Sequence, residues 1–205
     1  MNQPTTILPK QYPLISDQVS RNQLDVVLAE LETAIANADA RAAVVEFGCY
    51  IGTTSLFIRR LLDMRHDVRE FHVYDSFSGL PPKTQPDMSP AGTQFQAGEL
   101  AVSKKQFLQE FHRAGLRPPT VHKGWFSDLT ATDIPARIAF AFLDGDFYAS
   151  IRDSLKLVLP RMQAGGVIVI DDYAREALPG VAAAVHESFP PDRVQTIHNM
   201  GIIRL

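Results

Sequence analysis

At 205 residues the chain has the length of one domain with a short appendage, and enough of it to bury a sizeable core. An apolar share of 45%, a charged share of 21% and a net charge of −3 are ordinary for a globular protein, and leave no electrostatic footprint for nucleic acid or an anionic membrane. The single cysteine, Cys49, excludes an intramolecular disulfide framework and fits a reducing, cytoplasmic setting.

The opening residues lack a basic region followed by an apolar core, so no signal peptide is expected. No apolar run approaches the roughly 20 residues that span a bilayer. Residues 1 to about 20 contain prolines and no periodicity, and read as an arm lying on the surface. From Gln23 to Ala36, Leu24, Val27, Leu28, Leu31 and Ile35 recur at helical spacing. This amphipathic helix covers a sheet edge or forms a homodimer contact, and the sequence leaves both open. Residues 1–40 are therefore read as an appendage to a main domain spanning 41–205.

Ala42 to Phe47 reads as a buried first strand, followed by a glycine turn (E-F-G-C-Y-I-G-T-T-S) and the apolar-periodic helix L-F-I-R-R-L-L. Glycines admit close backbone approach to a ligand, and the helix start offers free N–H groups. The spacing is G-x-x-x-G rather than the G-x-G-x-x-G of a dinucleotide cradle. A second strand, Phe71 to Asp75, ends in an acid suited to accept hydrogen bonds from two ribose hydroxyls. Turn and acid together point to a nucleoside-containing ligand, without separating NAD from S-adenosylmethionine.

Ser76 to about Lys104 is a long stretch broken by Pro and Gly; loops of this length are often lids. Phe77, Leu80 and Phe95 favour one folding over a ligand, with the insertion at about 78–103. Lys104 to Ala114 is helical. The strand T-V-H-K-G-W-F follows, its Trp125 either bordering an adenine or packing in the core.

The densest chemistry lies between Ile138 and Tyr173. I-A-F-A-F-L-D-G-D and G-G-V-I-V-I-D-D-Y are short apolar runs of buried-strand character, separated by a helix-length segment. Ser150 with Asp153 suggests a capping box, and Gly165-Gly166 the exit from the helix. This βαβ unit places Asp144, Asp146, Asp171 and Asp172 at the carboxyl ends of two parallel strands, where open α/β sheets bind ligands. Four acids there repel one another unless some stay protonated or a cation sits among them, and a hard divalent ion such as Mg²⁺ accepts oxygen ligands. Pro179 to Phe189 is a helix, and V-Q-T-I-H and M-G-I-I-R-L form a hairpin joined at Asn199-Met200-Gly201. The six His residues show no ligand spacing, and nothing marks Cys49 as a nucleophile.

With Y-D-S-F-S-G-L-P, H-K-G-W-F and F-L-D-G-D-F-Y-A-S, the segment from Val44 to Phe189 resembles the macrocin O-methyltransferase family. These are S-adenosylmethionine- and divalent-metal-dependent enzymes that methylate sugar hydroxyls on antibiotics. The resemblance implies a Rossmann-like class I methyltransferase fold of the α/β class. That fold has a seven-stranded, mostly parallel sheet with a C-terminal antiparallel hairpin and helices on both faces. It further implies Mg²⁺ on Asp144, Asp171 and Asp172, Asp146 as general base, Glu46, Gly48 and Ser55 around the methionine part of the cofactor, and Asp75 on the ribose. Tyr50, Ser76, Gly124, Trp125 and Asp144 complete the candidate cofactor set. The expected partner is a small-molecule hydroxyl acceptor, a sugar of a natural product. A catechol or other phenol acceptor, a nicotinamide-dependent oxidoreductase and a non-catalytic binding module are the alternatives. Arg175 and the loop from Pro81 to Val102 are expected to select the acceptor.

Overall fold

A computed structural model describes residues 7–93 and 95–205. Residues 1–6 of the expected arm and Gln94 of the expected lid fall outside the described residues. Five parallel strands, β1 (Ala43–Phe47), β2 (Phe71–Asp75), β3 (Thr120–Lys123), β4 (Ile138–Leu143) and β5 (Met162–Ile170), are joined by β7 (Met200–Arg204) and β6 (Gln195–Ile197). The sheet order is β3-β2-β1-β4-β5-β7-β6, with β7 antiparallel to β5. The order reverses between β1 and β4, so the crevice outside their carboxyl ends is the ligand-binding position of such sheets.

Strand periodicity builds two cores. Val44, Phe140, Phe142, Val167 and Val169 face one side, and Val45, Phe47, Leu143, Ile168 and Ile170 face the other. Helices α2 (Arg21–Asn37), α3 (Thr53–Met64) and α4 (Lys104–Ala114) cover the first side, while α5 (Tyr148–Val158) and α6 (Pro179–His186) cover the second. The N-terminal helix α2 therefore lies on a sheet face, not along an edge. It starts at a capping box formed by Ser20 and Gln23. The segment before it is not a featureless arm: it holds a short helix, α1 (Leu8–Gln11), buries Leu8 and Val19, and hydrogen-bonds Ser16 Oγ to Thr53 Oγ1 at 2.9 Å.

Three local expectations are corrected. Helix α5 starts at Tyr148, two residues before the Ser150–Asp153 box, which does not form; its first N–H is taken by Asp87, 61 residues away. Gly165 and Gly166 lie inside β5, where a Cβ on Gly165 would come within 2.7 Å of the Asn37 carbonyl oxygen. The hairpin turns on His198-Asn199, both with positive φ, which suits the twist of a two-residue turn.

Backbone hydrogen bonds carry the strand register into the site. Asp144 N–H donates to Phe47 O at 2.8 Å and Asp171 N–H to Leu143 O at 2.9 Å, so the acids leave adjacent strands side by side. Gly48 sits at this junction with φ +87, and a Cβ there would lie 1.9 Å from the Asp144 carbonyl oxygen. Gly48→Ala adds a disfavoured φ and a backbone collision. It should lower the melting temperature by about 5 °C or more, equivalent to about 2 kcal/mol. Thermal unfolding followed by circular dichroism checks this; a shift under 2 °C would show that the junction yields.

Candidate active site

The carboxyl edge of the sheet opens into a cleft. Gly48, Tyr50, Asp75, Ser76, Trp125, Asp144, Asp146, Asp171 and Asp172 all line it. Glu46, Ser55 and Gly124 do not. Glu46 is buried behind the glycine turn, accepting from Ser55 Oγ at 2.5 Å, and this bond ties the end of β1 to the first turn of α3. Burial pushes the Glu46 carboxyl up to about 8, against the Ser55 hydrogen bond and with the neighbouring Asp75 charge. Gly124 extends the β2–β3 ladder through its N–H to Asp75 O, at 3.0 Å.

Asp75 is fixed from three directions. Its Oδ2 accepts from Cys49 N–H at 2.8 Å and Tyr50 N–H at 3.4 Å, and its Oδ1 from Phe77 N–H at 2.7 Å. Of roughly four acceptor positions on a carboxylate, about one is left for a ligand hydroxyl. Trp125 is 38% exposed and faces the cleft, so it is not a core residue. Burial pushes the Cys49 thiol well above its ordinary value, which makes it inert although it lines the cleft.

The four acids are crowded. Asp171 and Asp172 are 6% and 7% exposed, while Asp144 and Asp146 keep part of their surface open to the cleft yet lie deep among protein atoms. All four carboxyls are raised. Burial is the first cause in each; charge repulsion from Asp171, Asp146 and Asp172 adds to it at Asp144, and from Asp172 and Asp171 at Asp146. Water in the cleft screens Asp144 and Asp146, so the push on them is smaller than full burial would give.

Two side chains offset the repulsion: Arg175, which the sequence offered only as a selector of the acceptor, and Gln23, which it did not single out for the site. Arg175 Nη1 lies 3.1 Å from both oxygens of Asp172, and its guanidinium sits 5.1 Å from the Phe95 ring centre. Gln23 Nε2 donates to Asp171 Oδ1 at 3.1 Å, while its Oε1 closes the Ser20 capping box. Only the packing of α2 on β5 brings Gln23 to the acids. Among the described residues, no three His, Cys, Asp or Glu side chains converge closely enough to hold a metal as they stand. The donor chemistry nonetheless fits a hard cation: four carboxylates, no imidazole, a single thiol (Cys49) that burial keeps protonated, and a charge excess that one Arg does not balance.

Backbone strain gathers at the same place. Eight described non-glycine residues have positive φ, and four of them (Tyr50, Leu100, Asp146 and Asp172) line the cleft. The loop between β2 and α4 supplies the apolar wall through Leu80, Pro81, Phe95 and Leu100. Its ends are tied together by Leu80 N–H to Glu99 O at 2.8 Å and Gly98 N–H to Leu80 O at 2.9 Å. Gln18, Phe126 and Ser150 also line the cleft without having been foreseen. No histidine does; His72 and His122 instead pair with each other at 3.0 Å, and His186 with the Tyr173 hydroxyl at 2.8 Å.

The profile of the macrocin-O-methyltransferase (TylF) family matches residues 12–198. The chain is 33% identical over 179 residues to 8-demethyl-8-(2,3-dimethoxy-alpha-L-rhamnosyl)-tetracenomycin-C 4'-O-methyltransferase of Streptomyces olivaceus, covering 83% of this chain and 68% of that one. It spans 59% and 52% of the lengths of two further curated O-methyltransferases. Among solved structures, the O-methyltransferase NovP superposes with a TM-score of 0.75 at 27% identity, over 91% of this chain and 80% of that one. An O-methyltransferase of Bacillus cereus in complex with SAH shares the fold, with a TM-score of 0.58 at 15% identity over 98% and 89% of the two chains.

The raised carboxyls have a consequence for stability. A folded-state value above the unfolded one means that the folded state holds the proton more tightly, so stability falls as pH rises from about 4 through the raised values. Asp146→Asn removes one repelling charge at a position whose positive φ Asn tolerates. At pH 8, without ligands, it should raise the melting temperature by roughly 2–4 °C, about 1 kcal/mol, and the gain should shrink by pH 5. An equal or lower melting temperature at pH 8 would mean that the acids do not repel as described.

Proposed function

The chain belongs to the macrocin-O-methyltransferase family, and from that premise we propose that it moves the methyl group of S-adenosylmethionine to a sugar hydroxyl of a natural product, with Mg²⁺ in the site. The observation that carries this reading is the convergence of four carboxylates from β4 and β5 on one cleft with the glycine turn and Asp75. In this reading residues 1–40 append to a methyltransferase domain at 41–205, and lend Gln18 and Gln23 to its site.

Each residue then has a task. Asp75, locked by three backbone N–H groups, presents its remaining acceptor position to a ribose hydroxyl, and Gly48, Tyr50 and Ser76 border the same end of the cleft. Trp125 offers its ring at the cleft mouth as a stacking surface for the adenine. Glu46 and Ser55 support the glycine turn from behind and shape the methionine end indirectly. S-adenosylmethionine supplies a methyl group on a sulfonium that is its own leaving group, so no covalent enzyme intermediate is required. Asp144, Asp171 and Asp172 would hold the cation, which supplies Lewis-acid polarisation of the acceptor hydroxyl and neutralises the acid excess. Asp146 takes the hydroxyl proton, and its raised carboxyl matches a base working near neutral pH. Leu80, Pro81, Phe95 and Leu100 exclude bulk water and fix the acceptor, so that geometry supplies much of the rate.

The test is turnover, read as S-adenosylhomocysteine release with a panel of deoxysugar glycosides and a parallel panel of catechols. Methylation of glycosides alone is expected; methylation confined to phenols would move the substrate class. Asp146→Asn should lower kcat by about 10²–10⁴-fold, and a wild-type rate would remove the base from Asp146. Chelation by EDTA should abolish turnover and added Mg²⁺ should restore it; turnover that persists in EDTA would exclude the metal.

A further inference from the structure

Asp87 belongs to the loop between β2 and α4 and is only 1% exposed. Its Oδ2 accepts from Thr84 N–H at 2.8 Å and Thr84 Oγ1 at 2.6 Å, and its Oδ1 accepts from Tyr148 N–H at 2.7 Å. A Cβ on Gly180 would sit 1.9 Å from that same Oδ1, so the first turn of α6 presses on the carboxylate. One buried side chain thus joins the loop to the starts of α5 and α6.

Tyr148 follows the tightest turn in the site. Phe147 N–H donates to the Gly145 carbonyl at 2.6 Å, closing a three-residue turn with Asp146 at its centre and φ +58. A γ-turn with positive φ is rare and strained, and persists only where its surroundings hold it. Three features hold this one. Phe147 is buried in the core; Gly145 lacks the Cβ that would come within 2.7 Å of Ser150 Cβ; and Asp87 binds the N–H that leaves the turn. Asp87 is the polar tie from a distant segment. That segment also lines the cleft, through Leu80 and Phe95.

We propose that Asp87 is a positioning residue: through the Tyr148 N–H it holds the turn that presents Asp146 to the cleft, and so couples the acceptor-side loop to the general base. The functional part rests on the reading of Asp146 as the base, whereas the hold on the turn does not. A plain helix cap or loop tether would affect Tyr148 and the loop. A positioning role reaches back through the turn to Phe147.

Amide hydrogen exchange by NMR on the full chain separates the two. In Asp87→Ala, Phe147 should lose protection by at least about tenfold, although its acceptor, the Gly145 carbonyl, is untouched. Asp87→Asn retains Oδ1 and should keep Phe147 within about threefold of wild type. Loss of protection at Tyr148 alone would overturn the proposal, as would failure of the Asn variant to rescue Phe147. Should Asp87→Ala not fold, Gly180→Ala pushes on the carboxylate without removing it and should likewise deprotect Phe147; unchanged protection there would also overturn it. S-adenosylhomocysteine binding, measured alongside, tests the methyltransferase reading separately, since a wild type that fails to bind it sinks that reading and leaves the exchange result standing.

Discussion

Mutual repulsion among Asp144, Asp146, Asp171 and Asp172, held at one sheet edge and largely out of bulk water, is the constraint around which the rest of this structure is arranged. Burial and like charge act in the same direction here, and a chain selected for stability alone would not keep this arrangement. The register of β1, β4 and β5 nevertheless brings the acids together, because Asp144 and Asp171 continue the backbone ladder beyond Phe47 and Leu143. Gly48 permits that approach where a side chain would collide. Strain in φ at Asp146 and Asp172 lies on top of the charge, as expected where geometry serves chemistry rather than stability.

Supporting contacts come from three separate parts of the chain. Gln23 reaches Asp171 from the N-terminal helix, and Arg175 faces Asp172 from the segment after β5. Asp87 fixes the backbone beyond Asp146 from the long loop. The site is therefore not a property of the βαβ unit alone. Gln23 and Asp87 each make a second contact that fixes them in place, a helix cap for Gln23 and a turn with Thr84 for Asp87. Their side chains are held before any ligand arrives, which lowers the ordering cost of binding.

The elements and the acids were legible because each rests on local pattern. Apolar runs of strand length, helical spacing in α2 through α6, and Asp residues at strand ends are all short-range signals. What stayed hidden depends on long-range packing. Ser150 and Asp153 have the spacing of a capping box, but the acceptor at α5 comes from Asp87, which no local rule can assign. Gln23 was read only as the start of an amphipathic helix, with no hint of its hydrogen bond to Asp171. Gly165 resembled a helix exit and instead makes room for the Asn37 backbone, a contact set by how α2 crosses β5. Asp75 was placed correctly at its strand end, yet its three backbone donors, which reduce what it can offer a ligand, follow from loop conformations beyond the reach of pattern.

The most direct test of the central claim is calorimetric titration with S-adenosylhomocysteine, with and without Mg²⁺, on wild type and Asp171→Ala. The account predicts cofactor binding to both proteins and a heat of Mg²⁺ binding that is present in wild type and lost in the variant. Cofactor binding with no Mg²⁺ signal in wild type would contradict the role given to the acids, and absence of cofactor binding would contradict the account as a whole.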